Sequence, residues 1–321
     1  MSMSTGSVLG NGTSRFPTMS DDGNQVAFES LANNLVSGDS NGKSDVFVRV
    51  VDSATTTRAS VTAADAQVTD GDSGDPAIAG GGRYVAFRSS GSNLTAGETG
   101  AFPDIYLRDL ASGTTELVSL SSTEVQADGL SSSPDVSPDG RFVAFASSGK
   151  DLYPAKVSNK DDIFVRDRQL GSTTLISRTS GIATGNDSSW FPAISADGKV
   201  VAFESDASDL VRKDTNGLRD VFVRDLAVDF GPLPTLDTFV GQQYADFAGR
   251  SPSAAERTEW KARLTNGEQS PDSTIVAFAH SGAWSAKRAP MIRLYWAFFL
   301  RTPDAGGLQF WVNKLNAGWT L

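Results

Sequence analysis

The 321-residue sequence contains no cysteine and a single histidine, His280. These two shortages remove whole classes of chemistry. Without thiols there is no disulfide framework, thiol nucleophile, Cys-ligated zinc or iron–sulfur cluster, and one imidazole cannot build a metal site or relay that needs two. Basic residues are in the minority, 28 Lys and Arg against 38 Asp and Glu for a formal charge of −10. Nucleic-acid phosphates demand a basic footprint, so no nucleic-acid partner is expected. No apolar run reaches the roughly 18 residues that span a bilayer. The opening MSMSTGSVLGNGTS lacks the basic start and apolar core of a signal peptide, so no transmembrane segment or leader is expected in this sequence.

What is present divides in two. Residues 231–321 hold nine Lys and Arg and seven Asp and Glu, leaving 19 bases against 31 acids before them, and five of the six tryptophans fall in this last part. The proline-rich GPLPTL reads as the hinge, giving domains at 1–229 and 237–321 with a linker at 230–236.

The first part repeats. VAF recurs at Val26, Val85, Val143 and Val201, in steps of 59, 58 and 58. The segments DVFVR, DIYLR, DIFVR and DVFVR from Asp45, Asp104, Asp162 and Asp220 keep the same steps, as do Pro17, Pro76, Pro134 and Pro192. Each unit reads as four strands. A short strand after the proline leads to a tight turn at Asp22-Gly23, Gly81-Gly82, Asp139-Gly140 or Asp197-Gly198. The VAF strand follows, then a long loop, the DVFVR strand, a second tight turn and a closing strand. VAF and VFV are apolar on successive residues, which predicts sheets covered on both faces.

Stacked four-stranded sheets make a β-propeller. The segments PDVSPDGRFVAF from Pro134 and PAISADGKVVAF from Pro192 resemble the TolB-like, WD-repeat-like propellers of bacteria, over residues 12–228. The second unit departs from the pattern with Ala79-Gly80-Gly81-Gly82 at its turn. Unit four loses its outer strand, because DVFVRDLA runs into VDFGPLP. Gly6, Gly10, Asn11 and Pro17 match Gly181, Gly185, Asn186 and Pro192 at a shift of 175, so residues 6–17 read as an interblade connector. A closed ring of four and an open arc both fit. The resemblance implies a periplasmic or extracellular setting.

In such a fold the long loops and interblade connectors share one rim, which is where binding residues usually reside. Two loops there, DSNGKSD and DTNGLRD, place Asp39, Asn41 and Asp45, and Asp214, Asn216 and Asp220, around a glycine, and calcium prefers such oxygen ligands. Calcium is the only cofactor the sequence suggests. The competing reading is that the Asp opening strand three caps a turn through backbone N–H groups. Gly38-Asp39-Ser40-Asn41-Gly42 matches a nucleophile elbow by letter, but it sits between two strands, whereas that chemistry needs a strand entering and a helix leaving. Arg49, Arg108, Arg166 and Arg224 are one repeated position, read as a strand-edge charge beside a neighbouring Asp. No two acids stand out as a glycosidase pair.

The second part repeats as well, as helix. Leu236, Phe239, Val240, Tyr244 and Phe247 keep helical spacing, and Ser251-Pro252 and Thr302-Pro303 each offer an N-cap followed by proline. Tyr244, Arg250, Pro252, Trp260, Leu264 and Gly267 recur 51 residues later as Tyr295, Arg301, Pro303, Trp311, Leu315 and Gly318. This pattern resembles the bacterial domain of unknown function numbered 4214, found in secreted and surface-layer-associated proteins. Its aromatics at helical spacing read as core, with a carbohydrate platform as the alternative. Lys287, Arg288 and Arg293 read as a solvated helix face. The expected architecture is therefore all-β, then all-α. The expected function is a non-enzymatic binding or scaffold protein of the bacterial cell envelope or exterior, presenting the long-loop rim to a protein or glycan partner. The alternative is a propeller glycoside hydrolase using carboxylates on that rim.

Overall fold

A computed structural model of the chain describes residues 2–98, 102–153, 156, 158–179, 183–211, 214–226, 244 and 251–265. The chain divides into two compact units, one of residues 1–179 and 183–226, the other of residues 180–182 and 227–321.

The first unit is four antiparallel sheets taken in chain order. The first holds β1 (Ser14–Met19), β2 (Gln25–Ser30), β3 (Asp45–Val50) and β4 (Thr55–Arg58). The second holds β5 (Ser73–Ile78), β6 (Tyr84–Ser89), β7 (Asp104–Asp109) and β8 (Thr114–Leu117). The third holds β9 (Ser131–Val136), β10 (Phe142–Ser147), β11 (Asp162–Asp167) and β12 (Ser172–Leu175). The fourth holds β13 (Ser189–Ile194), β14 (Val200–Ser205) and β15 (Asp220–Asp225), three strands among the described residues. Each sheet packs on the next, and the first strands β1, β5, β9 and β13 line up side by side, which is the stacking of propeller blades.

Identical sequence produces identical pairing. VAF and VFV sit opposite one another, so Phe28 faces Phe47, Phe87 faces Tyr106, Phe145 faces Phe164 and Phe203 faces Phe222. All four ring pairs stack with centroids 5.8 to 5.9 Å apart. Glycines 23, 82, 140 and 198 take the positive φ of the first turn, 70 to 74°. In three of these turns a serine hydroxyl (Ser20, Ser137, Ser195) donates to the turn aspartate (Asp22, Asp139, Asp197) at 2.5 to 2.8 Å.

Two expectations need correction. The first strand of each blade starts before the proline, at Ser14, Ser73, Ser131 and Ser189. Pro17, Pro76, Pro134 and Pro192 lie within it at an irregularity in the pairing. Proline has no N–H to donate, so a bulge is where a strand can hold it, and the preceding residue (Phe16, Asp75, Ser133 or Phe191) turns to a φ of 49 to 52°.

The repeated arginine is not a strand-edge charge. Arg49, Arg108 and Arg166 are at most 9% exposed and reach back to the connector ahead of their own blade. There they donate to the carbonyls of Ser4, Thr62 and Ser121 at 3.0 Å each, while Arg224 donates to that of Arg178. Arg108 and Arg166 add ion pairs with Asp65 and Glu124 on the same connectors. A guanidinium has donors enough to serve a carbonyl and a carboxylate together, and the connector offers both.

Among the described residues no sheet covers the outer face of the fourth blade. Val46, Val48, Ile105, Leu107, Ile163 and Val165 of the third strands are at most 4% exposed under the following sheet. Their counterparts Val221 and Val223 in β15 are 72% and 67% exposed.

In the second unit the described helix is α1 (Ala254–Thr265). Its cap is Ser253, not Ser251. The Glu256 amide donates to Ser253 Oγ at 3.3 Å and the Ser253 amide to Glu256 Oε2 at 2.8 Å, a capping box that Ser251, two residues further out, cannot close. Trp260 Nε1 donates to the Tyr244 hydroxyl at 3.2 Å, joining two of the repeated aromatics. The linker 230–236, His280, the basic cluster at Lys287, Arg288 and Arg293, Thr302-Pro303 and the second helical repeat lie outside the described residues.

Candidate functional site

The four loops between second and third strands (31–44, 90–103, 148–161 and 206–219) all have 14 residues, and they lie on the rim opposite the tight turns together with the connectors. Each connector is knitted to the loop of its own blade. The Asn11 amide donates to Asn34 Oδ1 at 2.9 Å, the Ser92 amide to Asp70 Oδ1 at 2.9 Å, the Asp128 amide to Asp151 Oδ1 at 3.0 Å and the Asn186 amide to Asp209 Oδ1 at 2.9 Å. The loop end is also tied to the next blade, since Ser73, Ser131 and Ser189 amides donate to the carbonyls of Ser44, Pro103 and Asp161 at 2.7 to 2.8 Å. The described parts of the rim are thus tied to one another by hydrogen bonds. Sequence reading missed this clamp, although residues 11, 70, 128 and 186 keep the step of 59, 58 and 58.

Beneath the rim lies a row of buried carboxylates, Asp45, Asp104 and Asp162, each at most 1% exposed. Among the described residues no backbone amide donates to them, contrary to the turn-capping reading. Ser60, Ser119 and Ser177 hydroxyls donate to them at 2.6, 2.6 and 2.7 Å, locking the start of strand three to the connector fifteen residues on. The turns are made by asparagine instead: Asn41 Oδ1 and Asn216 Oδ1 accept from the amides of Lys43 and Leu218 at 2.9 Å.

A second repeated position faces this row: Asp39, Glu98, Lys156 and Asp214. Its occupant decides the electrostatics of each blade. In the first, Arg58 Nη1 sits 3.0 Å from Asp45 and 3.6 Å from Asp39, so a guanidinium already stands between two of the residues proposed for calcium. In the third, Lys156 Nζ meets Asp162 at 2.5 Å, with both side chains essentially buried. In the fourth, Asn216 Nδ2 donates to Asp220 at 2.9 Å. The second blade holds Glu98 next to Asp104 with no cation on either among the described residues, although Gln126 Nε2 donates to Asp104 at 2.7 Å. Neither Glu98 oxygen has a hydrogen-bond partner among the described residues. Burial pushes the Glu98 carboxyl up to about 7, and the charges of Asp104 and Asp70 add to that rise. Burial likewise raises Asp104 to about 6.

The structure thus brings Asp39 and Asp45 together through Arg58, and Asn216 together with Asp220. Among the described residues no group of three or more His, Asp or Glu stands close enough to hold a metal ion. Ser40 lies in a strand-to-strand loop, where its amide donates to Gln67 Oε1 at 3.2 Å, and no helix follows it.

No protein-family profile matches the chain, and no curated protein matches it. Among solved structures, TolB from Acinetobacter baumannii aligns at 15% identity with a TM-score of 0.41, over 67% of this chain and 41% of that one. The β-propeller domain of the trilobed protease from Pyrococcus furiosus, described as having an open velcro topology, aligns at 11% identity and a TM-score of 0.39, over 67% and 55%. Oligogalacturonate lyase from Vibrio parahaemolyticus aligns at 14% identity and a TM-score of 0.36, over 66% and 48%. The chain spans about two fifths of the TolB and about half of the other two.

Proposed function

We propose that the protein is a non-enzymatic binding or scaffold protein of the bacterial cell envelope or exterior, which presents the knitted rim of its blades to a protein or glycan partner. One observation carries this reading. Glu98 apart, the acids and amides of the described rim residues are spent on tying loop to connector, which is what a display surface requires. The setting comes from the sequence resemblance. No helix among the described residues is long and apolar enough to cross a membrane.

The test pairs binding with turnover. The intact chain is incubated with a panel of envelope glycans and oligosaccharides, binding is followed by interferometry and products by chromatography. Binding weakened by substitution of the exposed loop residues Ser40 and Leu218, with no product formed, supports the proposal. Release of shortened sugars sinks it.

Glu98 motivates the second reading. A glycoside hydrolase needs a carboxyl that keeps its proton near neutrality to serve as general acid, and Glu98 has that property. Turnover in the panel that disappears in Glu98→Gln would select the hydrolase.

A further inference from the structure

We propose that the open fourth blade is covered by the first blade of a second copy of this chain, docked head to tail. The three contacts inside the chain share one recipe. Val46 and Val48 close on Ile78, Val85 and Phe87. Ile105 and Leu107 close on Val136, Val143 and Phe145. Ile163 and Val165 close on Val201 and Phe203. The fourth sheet offers the same donating face at Val221 and Val223, both more than two thirds exposed. The first sheet offers the receiving face at Met19, 67% exposed where Ile78 and Val136 are buried, and at the half-buried Val26, while Phe28 and Phe47 beside them are already packed with Ala32 and Leu35 of their own loop. The chain therefore carries both halves of an interface that it already forms three times.

A polar observation points to the same occupant. Met3 bridges Leu9 as Val61 bridges Gln67, Leu120 bridges Gln126 and Arg178 bridges Thr184, so residues 2–10 have the shape of a connector. Every internal connector supplies a serine to the aspartate of the preceding blade, Ser60 to Asp45, Ser119 to Asp104 and Ser177 to Asp162. Ser2 stands 58 residues before Ser60 and occupies that place in the connector, its carbonyl accepting from Gly10 as Ser119 and Ser177 accept from Ala127 and Gly185. Asp220 is the aspartate still lacking such a serine among the described residues. It lines an open depression with Val211, Asp214, Asn216, Val221 and Val223, the place where the connector of a following blade would lie. In the docked pair, Ser2 of one copy donates to Asp220 of the other.

The contact joins unlike surfaces, so it closes into a ring or grows into a filament. Counting the described sheets alone, two copies bring eight, within the four to eight blades that propellers commonly hold, and at that number the proposed pair closes as a ring.

Sedimentation equilibrium of the intact chain is expected to give twice the chain mass. Val223→Asp and Met19→Asp, each at an exposed position that leaves circular dichroism unchanged, are each expected to give the single-chain mass. Mixing these two variants is expected to restore a two-chain species, because one supplies an intact first sheet and the other an intact fourth sheet. The absence of native cysteine gives a second readout: Ser2→Cys chains mixed with Asp220→Cys chains are expected to form the mixed disulfide faster than either forms its own. A single-chain mass for the unsubstituted protein overturns the proposal, as it would if another part of the same chain covers β15. A pair indifferent to both substitutions, a mixture that stays monomeric, or assemblies larger than two chains overturn it as well.

Discussion

Glu98→Gln converts the difference between blades into a measurement. The carboxyl lies at about 7 in place of its ordinary 4.5, so the folded state holds this proton more tightly than the unfolded chain does. For an acid raised in this way, the folded state is penalised once the carboxyl must ionise. The penalty is absent below about pH 4.5, grows as pH rises towards 7 and is complete above that. A displacement from 4.5 to about 7, at 1.36 kcal/mol per pH unit, sets a ceiling of about 3.4 kcal/mol. Glu98 is only half-buried, and solvent screening reduces this to about 1–2 kcal/mol. A glutamine keeps the shape and carries no charge, so it removes the penalty. Glu98→Gln is therefore expected to stabilise the protein by about 1–2 kcal/mol at pH 8 and to leave it nearly unchanged at pH 5. Glu98→Lys goes further, placing an ammonium beside Asp104 as Lys156 stands beside Asp162, and is expected to exceed the glutamine variant at pH 8. Urea unfolding at the two pH values, compared pairwise with the parent, reads both. A glutamine variant that is destabilised at pH 8, or that gains equally at pH 5 and pH 8, would refute the electrostatic reasoning.

Three further outcomes are expected. Arg166→Ala strands the Ser121 carbonyl and the Glu124 carboxylate at the connector, and urea unfolding should show a loss of about 2–3 kcal/mol. Phe145→Ala, in the core between second and third blades, should cost about 3–5 kcal/mol by the same measurement, since the ring is fully buried and stacked on Phe164. Chelator is expected to leave the thermal midpoint unchanged; a drop would assign calcium to Asp214, Asn216 and Asp220, because Arg58 already lies against Asp39 and Asp45.

How far the fold was legible depended on whether a residue's role is local or belongs to the stack. Tight turns were readable because Gly23, Gly140 and Gly198 follow an aspartate whose side chain closes the turn, all within a few residues. Sheets covered on both faces were readable from VAF and VFV. The serine-to-aspartate locks and the arginine staples escaped notice. Arg108 bonds the carbonyl of Thr62, 46 residues away on the connector ahead of its blade, and no motif of the repeat reveals such a partner. The rim followed the same rule: its 14-residue loops were visible, whereas the pairing of Asp39 with Arg58 and of Lys156 with Asp162 depends on which side chains burial brings together. The sharpest case is DVFVR, which occurs twice without a single change, from Asp45 and from Asp220. In β3 its five residues are all buried, and in β15 they alternate between half-buried and exposed. Local sequence set the strand in both places, and only the neighbouring blade distinguishes them. A buried strand and an open one with identical side chains place the difference in what lies opposite, and it is for that reason that the face of β15, rather than any single residue, carries the prediction of a second chain.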